Sequence, residues 1–146
     1  MFFLYQILIL ILIILSPIII IFRILKKKED IKRFKEKFCI PSKKRIAGNL
    51  IWFHGSSVGE LLSIIPLIYQ LEKNKHINQI LITSSTLSSA EICKNYKFKK
   101  VVHQFFPIDF FLYSYKFLNY WQPTIAIFIE SEIWPSIFKT LNAKKI

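Results

Sequence analysis

A chain of 146 residues has room for one domain of ordinary size and a short appendage, but not for two domains. With 53% hydrophobic residues, and 14 Phe, 3 Trp and 6 Tyr against 3 Gly, it has the material of a packed core, which excludes a disordered or low-complexity chain. The net charge of +12 calls for an anionic partner, and its placement along the chain selects which one. Cys39 and Cys93, with His54, His76 and His103 scattered along the chain, match neither a disulfide framework nor metal-ligand spacing. They read as reduced thiols of a cytosolic domain without metal or cofactor.

Residues 1–22 carry no charged side chain, and Gln6 and Ser16 are the polar exceptions in an apolar run. As a helix at about 1.5 Å per residue they reach roughly 33 Å, enough for a hydrocarbon core of about 30 Å. A cleaved secretory leader would show a charged start, a shorter apolar stretch and a small-residue cleavage site. None is visible, so residues 1–22 are expected to form a retained, single-pass transmembrane anchor. Residues 23–45 follow as a basic juxtamembrane segment, with eleven Lys and Arg against three acids, a net +8 that leaves +4 for residues 46–146. Positive segments stay cytoplasmic, which places the rest of the chain inside. Because the charge adjoins an apolar span, the expected partner is an anionic membrane and not nucleic acid.

Short runs rich in Ile, Val, Phe and Thr at 50–54, 79–84, 101–106 and 124–129 read as buried strands. Residues 57–74, 88–96, 110–120 and 134–141 carry apolar residues at helical spacing. This alternation predicts an α/β fold with a Rossmann-like parallel sheet, buried on both faces. Pro66 is expected to kink or split the first of these helices. Residues 143–146 read as the approach to a fifth strand.

Ligands of open α/β sheets gather at the carboxyl ends of the strands. The first strand is followed by His54, Gly55, Ser56, Ser57, Val58, Gly59 and Glu60. Two glycines permit a tight turn, and the amides that open the next helix form an anion site. Ser57 and Glu60 also spell a capping box in which Glu60 satisfies the Ser57 amide, so both roles stay open for Glu60. After the fourth strand, Glu130 and Glu132 precede Pro135. They serve either as helix-dipole complements or, one of them, as a carboxylate sharing a crevice with Glu60. Asp109 reads as the N-cap of the helix that follows it. His103 and His76 read as structural, whereas His54, at a strand end beside the turn, is a candidate ligand contact. No P-loop, dinucleotide glycine fingerprint or GxSxG elbow occurs, so nucleotide-triphosphate and serine-hydrolase readings have no support.

The apolar start, the basic segment, WFHGSSVGE, LLSIIPLIYQL, PID, WQP and IESEIWP, in that order, resemble the Kdo transferases. That family moves 3-deoxy-D-manno-octulosonic acid (Kdo) from CMP-Kdo to a lipid A precursor at the cytoplasmic face of the inner membrane, a step of lipopolysaccharide biosynthesis. The resemblance implies a two-domain glycosyltransferase B fold, of which residues 46–146 are the amino-terminal, acceptor-holding domain and the nucleotide-sugar domain is absent. It implies Glu60 as catalytic base, a supporting role for Glu130 and Glu132, and inversion at the sugar. Acceptor contacts are expected at His54, Gly55, Ser56, Ser57 and Thr86, with lipid IVA as acceptor and CMP-Kdo as donor. The sequence departs from the family pattern at Leu87 and Ser89, which take the positions of a proline and a glycine. It departs again at Lys37 and Cys39, in place of an arginine and a glycine, and at Ser136, in place of an asparagine. Two alternatives are a membrane-anchored module that binds glycolipid without catalysis and the acceptor half of another membrane glycosyltransferase.

Overall fold

In the computed structural model, which describes residues 1–130 and 132–146, nine regular elements follow one another. They are α1 (Phe2–Leu25), β1 (Leu50–His54), α2 (Val58–Lys73), β2 (Gln79–Ser84), α3 (Leu87–Asn95), β3 (Val101–Phe105), α4 (Phe111–Trp121), β4 (Ile125–Phe128) and α5 (Pro135–Lys144). The four strands form one parallel sheet in the order β3-β2-β1-β4. Residues 143 and 144, read as part of an approach to a further strand, are the last two residues of α5.

Alternating side chains of the central strands feed two cores. On one face Leu50, Trp52 and Leu81 pack against Phe117, Leu118 and Trp121 of α4 and Ile137 and Leu141 of α5. On the other, Phe53, Ile80 and Ile82 pack against Leu61, Ile64, Ile65 and Ile68 of α2. Both buried indoles find acceptors: Trp52 donates to Thr83 Oγ1 at 2.8 Å and Trp121 to Gln104 Oε1 at 3.0 Å. Strand β4 sits at the sheet edge with Ile125 exposed, so burial on both faces, expected of all four strands, holds only for the inner ones.

Pro66 neither splits nor ends α2, which is continuous from Val58 to Lys73. Pro66 lies on the solvent side, and buried Ile64, Ile65 and Ile68 around it hold the helix to the sheet. That packing offsets a cost of about 3 kcal/mol for an interior proline.

Asp109 does not cap α4, whose N-cap is Phe110. Its buried carboxylate accepts from the Ser136 N–H (Oδ2, 2.9 Å) and the Ile137 N–H (Oδ1, 2.9 Å), capping α5 across the fold. Pro135 occupies the first turn of α5 and brings no N–H, so these two amides are the ones that need an acceptor.

The basic segment 23–45 contains a 3₁₀ turn, Phe34–Phe38, not anticipated from the sequence. Two of its acids are buried and paired. Glu36 takes a bidentate Arg33 contact (2.8 and 2.9 Å) and the Phe105 N–H at 2.7 Å, and Glu29 accepts from Arg23 (2.8 Å) and Lys37 (2.6 Å). Lys37, where the family carries arginine, thus has a carboxylate partner of its own. Cys39 adopts φ 58°, ψ 34°, the left-handed conformation that favours the family's glycine. Its thiol donates to the Tyr113 carbonyl at 2.9 Å, and burial pushes it up to about 12.

Helix α1 does not stand away from the domain. Tyr5 donates to Asp109 Oδ2 at 2.7 Å, Gln6 donates to Ser136 Oγ at 2.8 Å, and Gln6 Oε1 accepts from the Phe111 N–H at 2.9 Å.

Candidate functional site

The chain leaves β1 for β2 and β3 on one side and then returns to place β4 on the other side of β1. In parallel α/β sheets this reversal of winding opens a crevice at the strand ends, because the loops leaving β1 and β4 turn to opposite faces. His54 ends β1 and stands in register with Thr83 of β2 and Phe128 of β4. The loops from 55 to 60 and from 129 to 134 therefore flank one opening, and the sequence candidates His54, Gly55, Ser56, Ser57, Glu60, Glu130 and Glu132 all lie on them or at their base.

Ser57 caps α2, its hydroxyl accepting from the Glu60 N–H at 3.2 Å. The reciprocal bond is shifted by one residue from the expected pattern: Glu60 Oε2 accepts from the Ser56 N–H at 2.9 Å, not from Ser57. The carboxylate is thereby pinned over the loop at the positive end of α2. Gly55 sits in a crowded corner of the loop. A Cβ there would lie 2.9 Å from Ile129 Cδ1 and 3.2 Å from Leu61 Cδ2. Gly59 faces open space in the first turn of α2, so the turn depends on one glycine and not two.

His54 is fully buried, its ring stacked on Phe106 at 3.9 Å between centroids. Nδ1 lies 3.2 Å from the Thr83 carbonyl and 3.0 Å from Thr83 Oγ1. A carbonyl only accepts, which assigns the proton to Nδ1 and leaves Nε2 with a lone pair. Burial pulls the imidazole down to about 4, so at neutral pH it is uncharged, and the 3.8 Å approach of Nε2 to Glu132 Oε2 is not an ion pair. Nε2 has no hydrogen-bond partner among the described residues. Two acceptors face one another there, an arrangement completed by donors such as hydroxyls. Glu130 is exposed, at φ 61°, and Ser131 between the two glutamates lies outside the described residues.

Thr86 serves as the N-cap of α3, accepting from the Ser89 N–H at 3.2 Å. Leu87 takes the first helical position, where the family's proline would be at home. Ser89 donates to the Ser56 carbonyl at 3.2 Å and so ties the two loops together.

A cavity of about 400 Å³ opens between α1 and the strand ends, lined by Ile9, Leu12, Ser16, Phe106, Asp109 and Trp134 among others. The Trp134 indole Nε1 is buried without a partner among the described residues. Sequence reasoning missed Trp134, Tyr5 and the reach of Asp109. Indole and phenol count as apolar in a hydropathy reading, and an acid before a helix looks like a local cap.

The sheet order and the crevice at the strand ends define an α/β unit of the Rossmann-like kind. The sequence profile of the 3-deoxy-D-manno-octulosonic-acid transferases (kdotransferase) matches residues 32–146, and the chain belongs to that family. It is 42% identical over 118 residues to the 3-deoxy-D-manno-octulosonic acid transferase of Rickettsia bellii (strain RML369-C), covering 81% of this chain and 28% of that protein. A probable mitochondrial 3-deoxy-D-manno-octulosonic acid transferase of Arabidopsis thaliana is 40% identical over 125 residues, covering 84% of this chain and 28% of the relative. The Haemophilus influenzae transferase is 31% identical over 96 residues, covering 66% and 22%. The chain thus spans less than a third of the length of these relatives.

Proposed function

We propose that this chain supplies the acceptor wall of a transferase that moves Kdo from CMP-Kdo to lipid IVA, with Glu60 as general base. The reading is carried by the Glu60 carboxylate, anchored through Oε2 at the amino end of α2, at the crevice where β1 and β4 part. The acceptor hydroxyl oxygen attacks the anomeric carbon of Kdo, its proton passes to Glu60, and the bond to the CMP phosphate breaks with its electron pair leaving on CMP. Attack opposite the leaving group inverts the anomeric centre. Hydroxyls of Ser56 and Ser57 and the amides at the start of α2 suit a lipid A phosphate. His54 Nε2 and Glu132 suit two neighbouring sugar hydroxyls, one donating to each. Thr86, committed to its cap, acts through the position of α3, and Glu130 through the charge of the crevice.

A second reading has one observation in its favour: Glu60 already works as a capping residue, donating and accepting within its own loop. In that case the chain binds glycolipid and Glu60 only holds the turn. The experiment that decides adds a separately expressed carboxyl-terminal half of a relative to the detergent-solubilised chain, CMP-Kdo and lipid IVA. Glu60→Gln keeps an acceptor oxygen for the Ser56 amide, so stability changes by less than about 1 kcal/mol. Turnover falls by about 10² to 10⁴ if Glu60 takes the proton. Turnover within tenfold of the parent chain at equal folded fraction rejects the base.

A further inference from the structure

We infer that α1 lies in the plane of one membrane leaflet, held to the domain at both ends, and does not cross the bilayer. Both ends of the helix are held by the same body. At its first turns Tyr5 and Gln6 bond Asp109, Ser136 and the Phe111 N–H, and the Lys139 ammonium sits 4.1 Å over the Phe2 ring. At its last turn Arg23 pairs with Glu29, which also holds Lys37. The rise of the helix from Tyr5 to Arg23 separates these holds by roughly 27 Å. A helix crossing a hydrocarbon core of about 30 Å would carry Tyr5 and Gln6 to the far side from Asp109 and Ser136 and break every one of those bonds.

The helix is patterned for this placement. Its less exposed residues are Phe2, Tyr5, Gln6, Ile9, Ile13, Ser16, Ile20, Arg23 and Ile24, a stripe at spacings of three and four that faces the domain. Every side chain of α1 that carries a polar group falls on that stripe. The remaining faces are Leu, Ile and Phe with Pro17 among them, including Leu4, Leu8, Ile11, Ile14, Ile18 and Phe22, all exposed. So large an uncharged surface needs hydrocarbon around it.

The domain continues the same surface with exposed Phe111, Leu112 and Phe138 beside the start of the helix. Lysines mark the headgroup level at both ends: Lys139 over Phe2, and exposed Lys26, Lys27 and Lys28 after Phe22, with the Lys26 ammonium 4.2 Å over that ring. Ammonium groups at the two ends of one helix, both tied to the same domain, match the anionic headgroups of a single leaflet. The occupant of the apolar face is therefore one leaflet of an anionic bilayer, and the cavity between α1 and the strand ends opens into it.

The test places cysteines by Phe2→Cys and Lys139→Cys in the full chain, adds it to vesicles of phosphatidylethanolamine and phosphatidylglycerol, and treats them with a flexible bis-maleimide. Cross-links are located by peptide mass spectrometry, so that native Cys39 and Cys93 can remain. The expected result is an intrachain link between positions 2 and 139 in chain that floats with the vesicles, with about tenfold less chain bound to phosphatidylcholine vesicles. Floating chain without that link, and with position 2 protected from an impermeant maleimide outside the vesicles, means a spanning helix and overturns the inference. A link between two chains with no flotation means that a second copy covers the face, and overturns it as well. A variant that misfolds is recognised by loss of the buried-tryptophan emission, and the Tyr5→Cys and Lys139→Cys pair then replaces it under the same criteria.

Discussion

Replacing Asp109 by alanine tests the link between the switch-point crevice and α5. The substitution leaves two buried amides, Ser136 and Ile137, without their 2.9 Å acceptor, and frees the Tyr5 hydroxyl. At about 1.5 kcal/mol for each buried amide and less than 1 for the half-buried phenol, the loss comes to about 3 to 4 kcal/mol. That is a large part of the roughly 5 to 15 kcal/mol available to a domain. Urea unfolding in detergent, followed by emission of buried Trp52 and Trp121, should show the midpoint falling by about 1.5 to 2 M for an m-value of about 2 kcal/mol per molar. Asp109→Asn keeps one acceptor oxygen and should lose about half as much. Ser114→Ala removes only a 3.5 Å contact to the same carboxylate and should shift the midpoint by less than about 0.5 M. If Asp109→Ala moves the midpoint no further than Ser114→Ala, the carboxylate does not cap α5 and the account of this corner of the fold is wrong.

His54 and His103 are held neutral by burial, near 4 and 3, against 6.5 when unfolded. The unfolded chain then binds more protons below pH 6.5, so stability falls as pH drops from there towards the folded values, by about 2 kcal/mol per histidine at pH 5. A urea midpoint that is flat between pH 7 and 5 would contradict this. Leu87→Pro should stabilise by about 0.4 to 1 kcal/mol, because Leu87 opens α3 and the preceding Thr86 is already extended at φ −121°, ψ 157°. A lower melting temperature would show that the Leu87 side chain or N–H matters more than the turn.

Much of this protein is legible in the order of its residues. Four apolar runs and the helical spacings between them predict a parallel α/β sheet, because strand burial and helix amphipathicity are local patterns that a linear reading can count. HGSSVGE and IESEIWP carry the family in the same way, as short strings whose chemistry does not depend on knowing where they meet. What local pattern could not supply was every fact that depends on two distant segments touching. The sheet order that sends β4 to the far side of β1 turns the Glu60 and Glu132 loops into two banks of one crevice, and strand order has no signature in any single strand. Asp109 looked like the cap of its neighbour and proved to be the cap of a helix 26 residues on, since a carboxylate goes to whichever free amides the fold brings to it. Hydropathy alone read residues 1–22 as a span. Tyr5, Gln6, Ser16 and Arg23 on one stripe acquire meaning only when Asp109, Ser136 and Glu29 are seen opposite them, because a hydrogen bond depends on both of its ends.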